Sequence, residues 1–226
     1  MSASREAIVV VSPHLDDAIL SIGAFIAGSA SRGARVTVLT VLAGNPRSRA
    51  PAGPWDSACG FSTAGDAARA RREEDRRACA LVGARPQWLP FGDEQYGLGA
   101  DVAEVRGEVE RSLAGAQTVL VPGHPLWHED HRWLTSLVLG GVGEVVRAGC
   151  YVELPYARWQ LPERPPPDFS LGPLTWRSVA SRPRDRLSKA RACLAYRSQL
   201  PQLSRSPWRS ILLEALRSAG ERVAWL

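Results

Sequence analysis

Lysine is nearly absent from this sequence. Lys189 is the only one, and every other basic side chain is an arginine. The formal charge is +5 and the pI about 9.4, values compatible with nucleic-acid binding only if the charge gathers on one face. It does not gather in the sequence. Even the densest basic stretch, Arg69 to Arg77, contains Glu73, Glu74 and Asp75, the composition of a solvated helix face with local ion pairs. No C-x-x-C pair joins Cys59, Cys79, Cys150 and Cys193, which argues against a structural zinc knuckle or a thioredoxin-like motif. A run of about 18 or more apolar residues is also missing, so no membrane span is expected. Residues 1–6 lead into a strand without a hydrophobic signal region, and the expectation is a cytoplasmic protein with reduced thiols.

What is present is an alternation of apolar runs and helical patterns. At 226 residues with 45% hydrophobic content, the chain is long enough for one α/β domain spanning 1–226. Ala7 to Ser12 reads as a buried strand, Ala18 to Ser31 as a helix stopped near Gly33, and Arg35 to Leu42 as a second strand. A strand, a helix and a strand in that order argue for a parallel sheet. Ala43 to about Ser62, rich in Gly, Pro and Ser, reads as a mobile loop bordering the active site. Further helices are expected at Thr63–Leu81, Ala100–Leu113, Trp133–Val146, Arg184–Tyr196 and Pro207–Ala219. Further strands are expected at Gln87–Pro90, Thr118–Val121 and Cys150–Leu154, with Leu174–Val179 as an edge strand and 155–173 as a proline-rich excursion. The sum is a Rossmann-like, three-layer α/β fold whose mostly parallel sheet has about five or six strands.

The chemistry concentrates at two strand ends. Ser12-Pro13-His14-Leu15-Asp16-Asp17 follows the first strand, and His124-Pro125-Leu126-Trp127-His128-Glu129-Asp130-His131 follows the apolar run from Thr118 to Pro122. Together these stretches hold all four histidines of the chain. Imidazoles and carboxylates suit zinc or another borderline divalent ion, and a catalytic site needs three protein ligands with one position open. Any one of these residues alone has a plainer explanation, since Asp16 or Asp17 could simply cap the following helix. Two such clusters, each between a buried strand and a helix, point to a shared metal site at the carboxyl edge of the sheet.

These residues resemble the LmbE-like N-deacetylases, the family of the N-acetylglucosaminyl-phosphatidylinositol de-N-acetylases. The resemblance lies in Pro13-His14-Leu15-Asp16-Asp17-Ala18 and in His128-Glu129-Asp130-His131. It is supported by Arg71-x-x-Glu74, Asp93, Glu153-Leu154-Pro155-Tyr156 and the stretch from Lys189 to Gln199. It implies that His14, Asp17 and His131 bind Zn²⁺, with Fe²⁺ as another divalent ion such a site accepts. Asp16 would be the general base beside a metal-bound water, His128 would steady the tetrahedral intermediate or protonate the leaving amine, and Asp130 would orient His128. Arg71 and Asp93 match positions that contact sugar hydroxyls. His124 joins them as a candidate substrate contact, with a plain loop histidine as the alternative. Leu15 and Ala18 depart from the motif, which has proline and glutamate at these places.

The implied activity is removal of an N-acetyl or other N-acyl group from a small-molecule amino sugar or sugar conjugate, with no nucleic acid as partner. Two other classes compete. A nucleotide-binding or redox Rossmann-like protein lacks its G-x-G-x-x-G in the first strand-helix turn, and a non-catalytic binding protein lacks a recognition pattern. A homo-oligomer is left open, with Trp159 and Trp208 as candidate contacts or core residues.

Overall fold

The computed structural model describes residues 5–141, 147–158, 171–179, 181–203 and 220–226. Its centre is a seven-stranded sheet in the order β3-β2-β1-β4-β5-β7-β6. The strands are β1 (Ala7–Ser12), β2 (Arg35–Thr40), β3 (Arg85–Trp88), β4 (Thr118–His124), β5 (Arg147–Val152), β6 (Arg177–Ser178) and β7 (Arg222–Trp225). The first five run parallel, and β7 joins them antiparallel, between β5 and β6. The helices are α1 (Asp17–Ser31), α2 (Pro54–Ala58), α3 (Ala64–Val82), α4 (Val102–Leu113), α5 (Glu129–Gly141), α6 (Pro183–Cys193) and α7 (Leu200–Leu203). Among the described residues, no helix is long and apolar enough to cross a membrane.

The continuous apolar character of β1 follows from burial on both faces. Ile8 and Val10 pack with Ile19, Ile22 and Ile26 of α1, Val82 of α3 and Cys193 of α6. Val9 and Val11 face the opposite way, toward Val105 and Val109 of α4 and Leu134 and Val138 of α5. The chain builds outward from β1 to β3, then returns to place β4 on the other side of β1. That reversal between β1 and β4 opens a crevice beyond their carboxyl ends, where open α/β sheets bind ligands.

The parallel core matches the expectation from sequence, and the departures lie at its margins. The sheet has one strand more than the expected upper bound, because β7 is only Arg-Val-Ala-Trp and carries no signal of its own. It is held by packing: a Cβ on Gly149 would come within 2.8 Å of the Trp225 ring, so glycine in β5 makes room for that indole. The stretch expected as a mobile loop contains α2 and carries hydrogen bonds at several points. Ala52 and Ala64 donate backbone bonds to Ser62 and Ala50, Gly53 donates to the Tyr96 hydroxyl at 2.8 Å, and Gln202 donates to the carbonyl of Ala58 at 2.8 Å. The edge strand expected at 174–179 is reduced to Arg177–Ser178. The expected helix at 207–219, most of the 155–173 excursion, the end of the 133–146 helix, and both Trp159 and Trp208 lie outside the described residues.

Helix α1 is broken at Ile22, whose φ of −131° and ψ of 30° are not helical. The freed backbone N–H groups of Ala24 and Phe25 donate to the Glu221 carboxylate at 2.9 and 2.8 Å. Lys189 of α6 completes the arrangement, with Nζ 3.2 Å from the carbonyl of Ser21 and 2.7 Å from Glu221. Its stem lies so close that a Cβ on Gly23 would meet Lys189 Cγ at 2.9 Å.

Asp75 of α3 is another buried carboxylate. It accepts from Trp88 Nε1 and the Tyr196 hydroxyl, both at 2.7 Å. Burial pushes its pKa up to about 6 despite these bonds. The native state therefore holds this proton more tightly than the unfolded chain, so Asp75 supports folding below about pH 4 and loses that support as pH rises through 6. An Asp75→Asn protein is expected to show a flatter stability profile across this window, by on the order of 2–3 kcal/mol. Chemical denaturation from pH 4 to 7 checks this, and parallel profiles for the two proteins would sink it.

Candidate active site

The turn after β1 is shaped by Ser12, whose hydroxyl donates to the carbonyl of His14 at 2.6 Å and accepts from Ala18 N–H at 3.0 Å. The Asp17 carboxylate bends back to the backbone N–H of His14, 2.9 Å away. His131 arrives from the first turns of α5, fully buried. Three atoms then converge. His14 Nδ1 lies 3.1 Å from Asp17 Oδ2, His131 Nε2 lies 3.3 Å from the same oxygen, and the two ring nitrogens are 3.2 Å apart.

This triangle fits a metal ion. A tetrahedral ion bound at 2.0–2.1 Å holds its ligands about 3.3 Å apart, close to all three edges. These side chains are a group able to hold an ion, with ligand atoms within 4.8 Å of one another. The outer nitrogens of both rings meet carboxylates. His131 Nδ1 bonds Glu153, and His14 Nε2 lies 3.0 Å from Asp130. Carboxylates behind ligand histidines fix the ring orientation and raise basicity.

The acidic shell also sets protonation. Burial alone would lower the pKa of His14, but its bonds to Asp130 and Asp17 hold it well above the ordinary value. His131 is likewise raised, to about 9, by Asp17 and Glu153 against burial. Asp17 is held well below the usual carboxylate range by His131 and His14, again against burial. Without an ion, both rings keep protons that a metal must displace. Metal affinity is therefore expected to weaken on acidification, by about tenfold per pH unit for each proton displaced. Chelator competition at pH 6 and 8 measures this, and equal affinities would refute it.

Asp16 is 6% exposed, and burial together with the Asp17 charge pushes its pKa up. It lines a cavity of about 280 Å³ with His14, Arg71, Asp93, His128 and Tyr156. The His128 ring meets Trp127 and Tyr156 edge-on, at 4.8 and 5.1 Å between centroids. Burial and the neighbouring histidines lower its pKa to about 4, so it is neutral near pH 7. Arg71 is 9% exposed. Burial opposes its charge, but Asp16, Asp56 and Asp93 keep it protonated.

The structure thus gathers His14, Asp16, Asp17, His128, Asp130, His131, Arg71 and Asp93 at one edge of the sheet. Two placements differ from expectation. Asp130, expected at His128, serves His14 and the backbone N–H of Glu94, the latter at 3.3 Å; its position at the start of α5 aims it across the crevice rather than along the helix. His124 is exposed, with its ring against Trp176 at 6.2 Å, and it does not line the cavity. Glu153 carries a part that sequence reasoning left unassigned: it holds His131 and accepts from Leu126 N–H at 2.6 Å. An acid directly after a buried strand was the available signal.

Fold and site together define an LmbE-like α/β protein with a candidate metal centre at the switch point of its sheet. The PIG-L family model, GlcNAc-PI de-N-acetylase, matches residues 9–140, and the chain belongs to that family. It is 33% identical over 171 residues to the 2'-N-acetylparomamine deacetylase of Streptomyces fradiae, an alignment covering 66% of this chain and 57% of that relative. Among solved structures it resembles the A40926 pseudoaglycone deacetylase at 29% identity and TM-score 0.81, over 98% of this chain and 97% of that one. It also resembles a deacetylase of the teicoplanin biosynthesis pathway at 26% identity and TM-score 0.80, over 97% of both chains.

Proposed function

We propose that this protein is a zinc-dependent N-deacetylase, with residues 1–226 acting as one domain, that removes the acetyl group from an N-acetylated amino sugar or sugar conjugate. The observation that carries the reading is the metal-sized triangle of His14, Asp17 and His131 beside the buried carboxylate of Asp16. The deacetylases among its relatives support the same reaction class. Zinc at this site would supply a Lewis acid for the amide carbonyl and acidify a water next to it.

The side chains divide the remaining work. Asp16, whose carboxylate lines the cavity beside the triangle, takes the proton of the attacking water and passes it on to the leaving nitrogen. His128, neutral, offers an N–H to the oxygen on which negative charge develops. A cation nearby would lower its pKa further, so this role survives metal loading. Asp130 and Glu153 hold the His14 and His131 rings, and Arg71 and Asp93 orient the sugar hydroxyls. A dinucleotide-binding protein is disfavoured because Asp16 and Asp17 stand in the turn where phosphate would have to approach glycine backbone.

The test is elemental analysis of the protein purified without a histidine tag, before and after chelation, paired with amine release from a panel of N-acetylated amino sugars. About one zinc per chain, with release lost on chelation and restored by metal, is expected. A protein that cannot be loaded would end the proposal.

A further inference from the structure

Ser21 of α1 is buried behind the site, and no step of the reaction uses it. Its hydroxyl accepts from the backbone N–H of Leu154 at 3.1 Å, and its carbonyl accepts from Lys189 Nζ at 3.2 Å. Leu154 directly follows Glu153, whose carboxylate bonds the His131 ring. Ser21 also stands four positions after Asp17, so the two share one face of α1. One buried residue is thus tied to the elements that carry two of the three candidate ligands.

Lys189 and Glu221 hold Ser21 in that place. An unbroken helix would pair the Phe25 N–H with the Ser21 carbonyl. At the break beside Ile22 the N–H donates to Glu221 and the carbonyl accepts from Lys189, and the two side chains meet at 2.7 Å. A cation therefore sits at the end of one helical segment and an anion at the start of the next, the charges those ends favour. The sheet brings the pair to this point. Strands β5 and β7 are antiparallel with Tyr151 opposite Val223, and two residues past that pair, on the same side of it, lie Glu153 and Glu221.

Resting on the metal-centre part of the proposed function, we infer that Lys189 and Glu221 are positioning residues for His131, acting through Ser21. The pair fixes the break in α1, the Ser21 hydroxyl fixes Leu154, and Glu153 is thereby set where it holds the imidazole. Neither Lys189 nor Glu221 lines the cavity, so the C-terminal strand takes part in metal binding from behind the sheet edge. A buried ion pair adds little stability over apolar side chains of the same volume; here its value is the geometry it imposes.

The experiment measures zinc affinity of the full chain by chelator competition in wild type, Ser21→Ala, Lys189→Met/Glu221→Gln and the triple variant. Removing both charges together leaves neither one stranded. Ser21→Ala and the charge-pair variant are each expected to bind zinc about tenfold more weakly, the lower end for loss of support behind a ligand histidine. The triple variant is expected to bind no more weakly than the weaker of the two, because both changes interrupt one path. Losses that multiply overturn the path through Ser21. Unchanged affinity in a charge-pair variant that only melts lower overturns the proposal and makes the pair purely structural. A second readout needs no metal: in ¹⁵N-histidine-labelled protein the His131 Nδ1 resonance, assigned by its change in Glu153→Gln, is expected to shift in Ser21→Ala and in the charge-pair variant. A wild type that takes up no zinc overturns the deacetylase reading. The ring resonance then decides the positioning alone, a shift upholding it and an unmoved signal overturning it.

Discussion

Asp16→Ala is expected to keep its metal and lose amine release by about 10²–10⁴-fold, the usual loss on removing a general base. Asp16 and Asp17 are adjacent in sequence but their environments push them apart. The Asp17 oxygen sits against two imidazoles, and its pKa falls. The Asp16 carboxylate faces the cavity, lined there also by Arg71, and burial and Asp17 raise it. One carboxylate therefore has the character of a ligand and the other of a base. Removing Asp16 relieves its repulsion of Asp17 but also takes an acid away from the buried Arg71 cation, so the melt serves to show that lost turnover is not lost fold. Metal analysis, kcat and a thermal melt on one preparation decide this. Undiminished turnover sinks the assignment, and loss of metal would make Asp16 a ligand.

His131→Ala should fail in a different way, losing metal, turnover and stability together. His131 is fully buried, and its removal leaves the Glu153 carboxylate, itself 1% exposed, with the Leu126 N–H as its remaining side-chain hydrogen bond among the described residues. Leaving a buried charge unpaired costs about 3–5 kcal/mol. The double variant His131→Ala/Glu153→Gln is expected to regain part of that stability and none of the metal, because the stranded charge is gone and the ligand is still missing. Denaturant titrations of the single and double variants, with metal content, give the answer. Equal stabilities would mean that Glu153 is not held by His131. His14→Ala, whose ring is partly exposed, should lose metal and turnover with a smaller loss of stability.

The centre of this site was legible because its chemistry is written next to its geometry. Buried strands announce themselves as apolar runs, and His14, Asp16, Asp17, His128 and His131 stand within a few residues of the ends of β1 and β4. What remained hidden depends on parts of the chain that meet only after folding. Asp56 reads as one more acid in a glycine-rich stretch until α2 presents it to Arg71. Asp130 sits next to residues of its own motif, yet its partner is His14, 116 positions away. Strand β7 exists because β5 has an open edge and Gly149 leaves space, neither of which is visible in Arg222–Trp225 itself.

The buried lysine of α6 has a practical side. Lys189 is the only ε-amino group in the chain, it is 2% exposed, and Ser21 and Glu221 engage it. The proposed reaction liberates a primary amine, so its progress can be followed with fluorogenic amine reagents against a folded enzyme that presents no lysine side chain to them. The same reagents turn Lys189 into a reporter. Acylation there requires α1 and α6 to part at the break beside Ile22, and its rate measures how often they do.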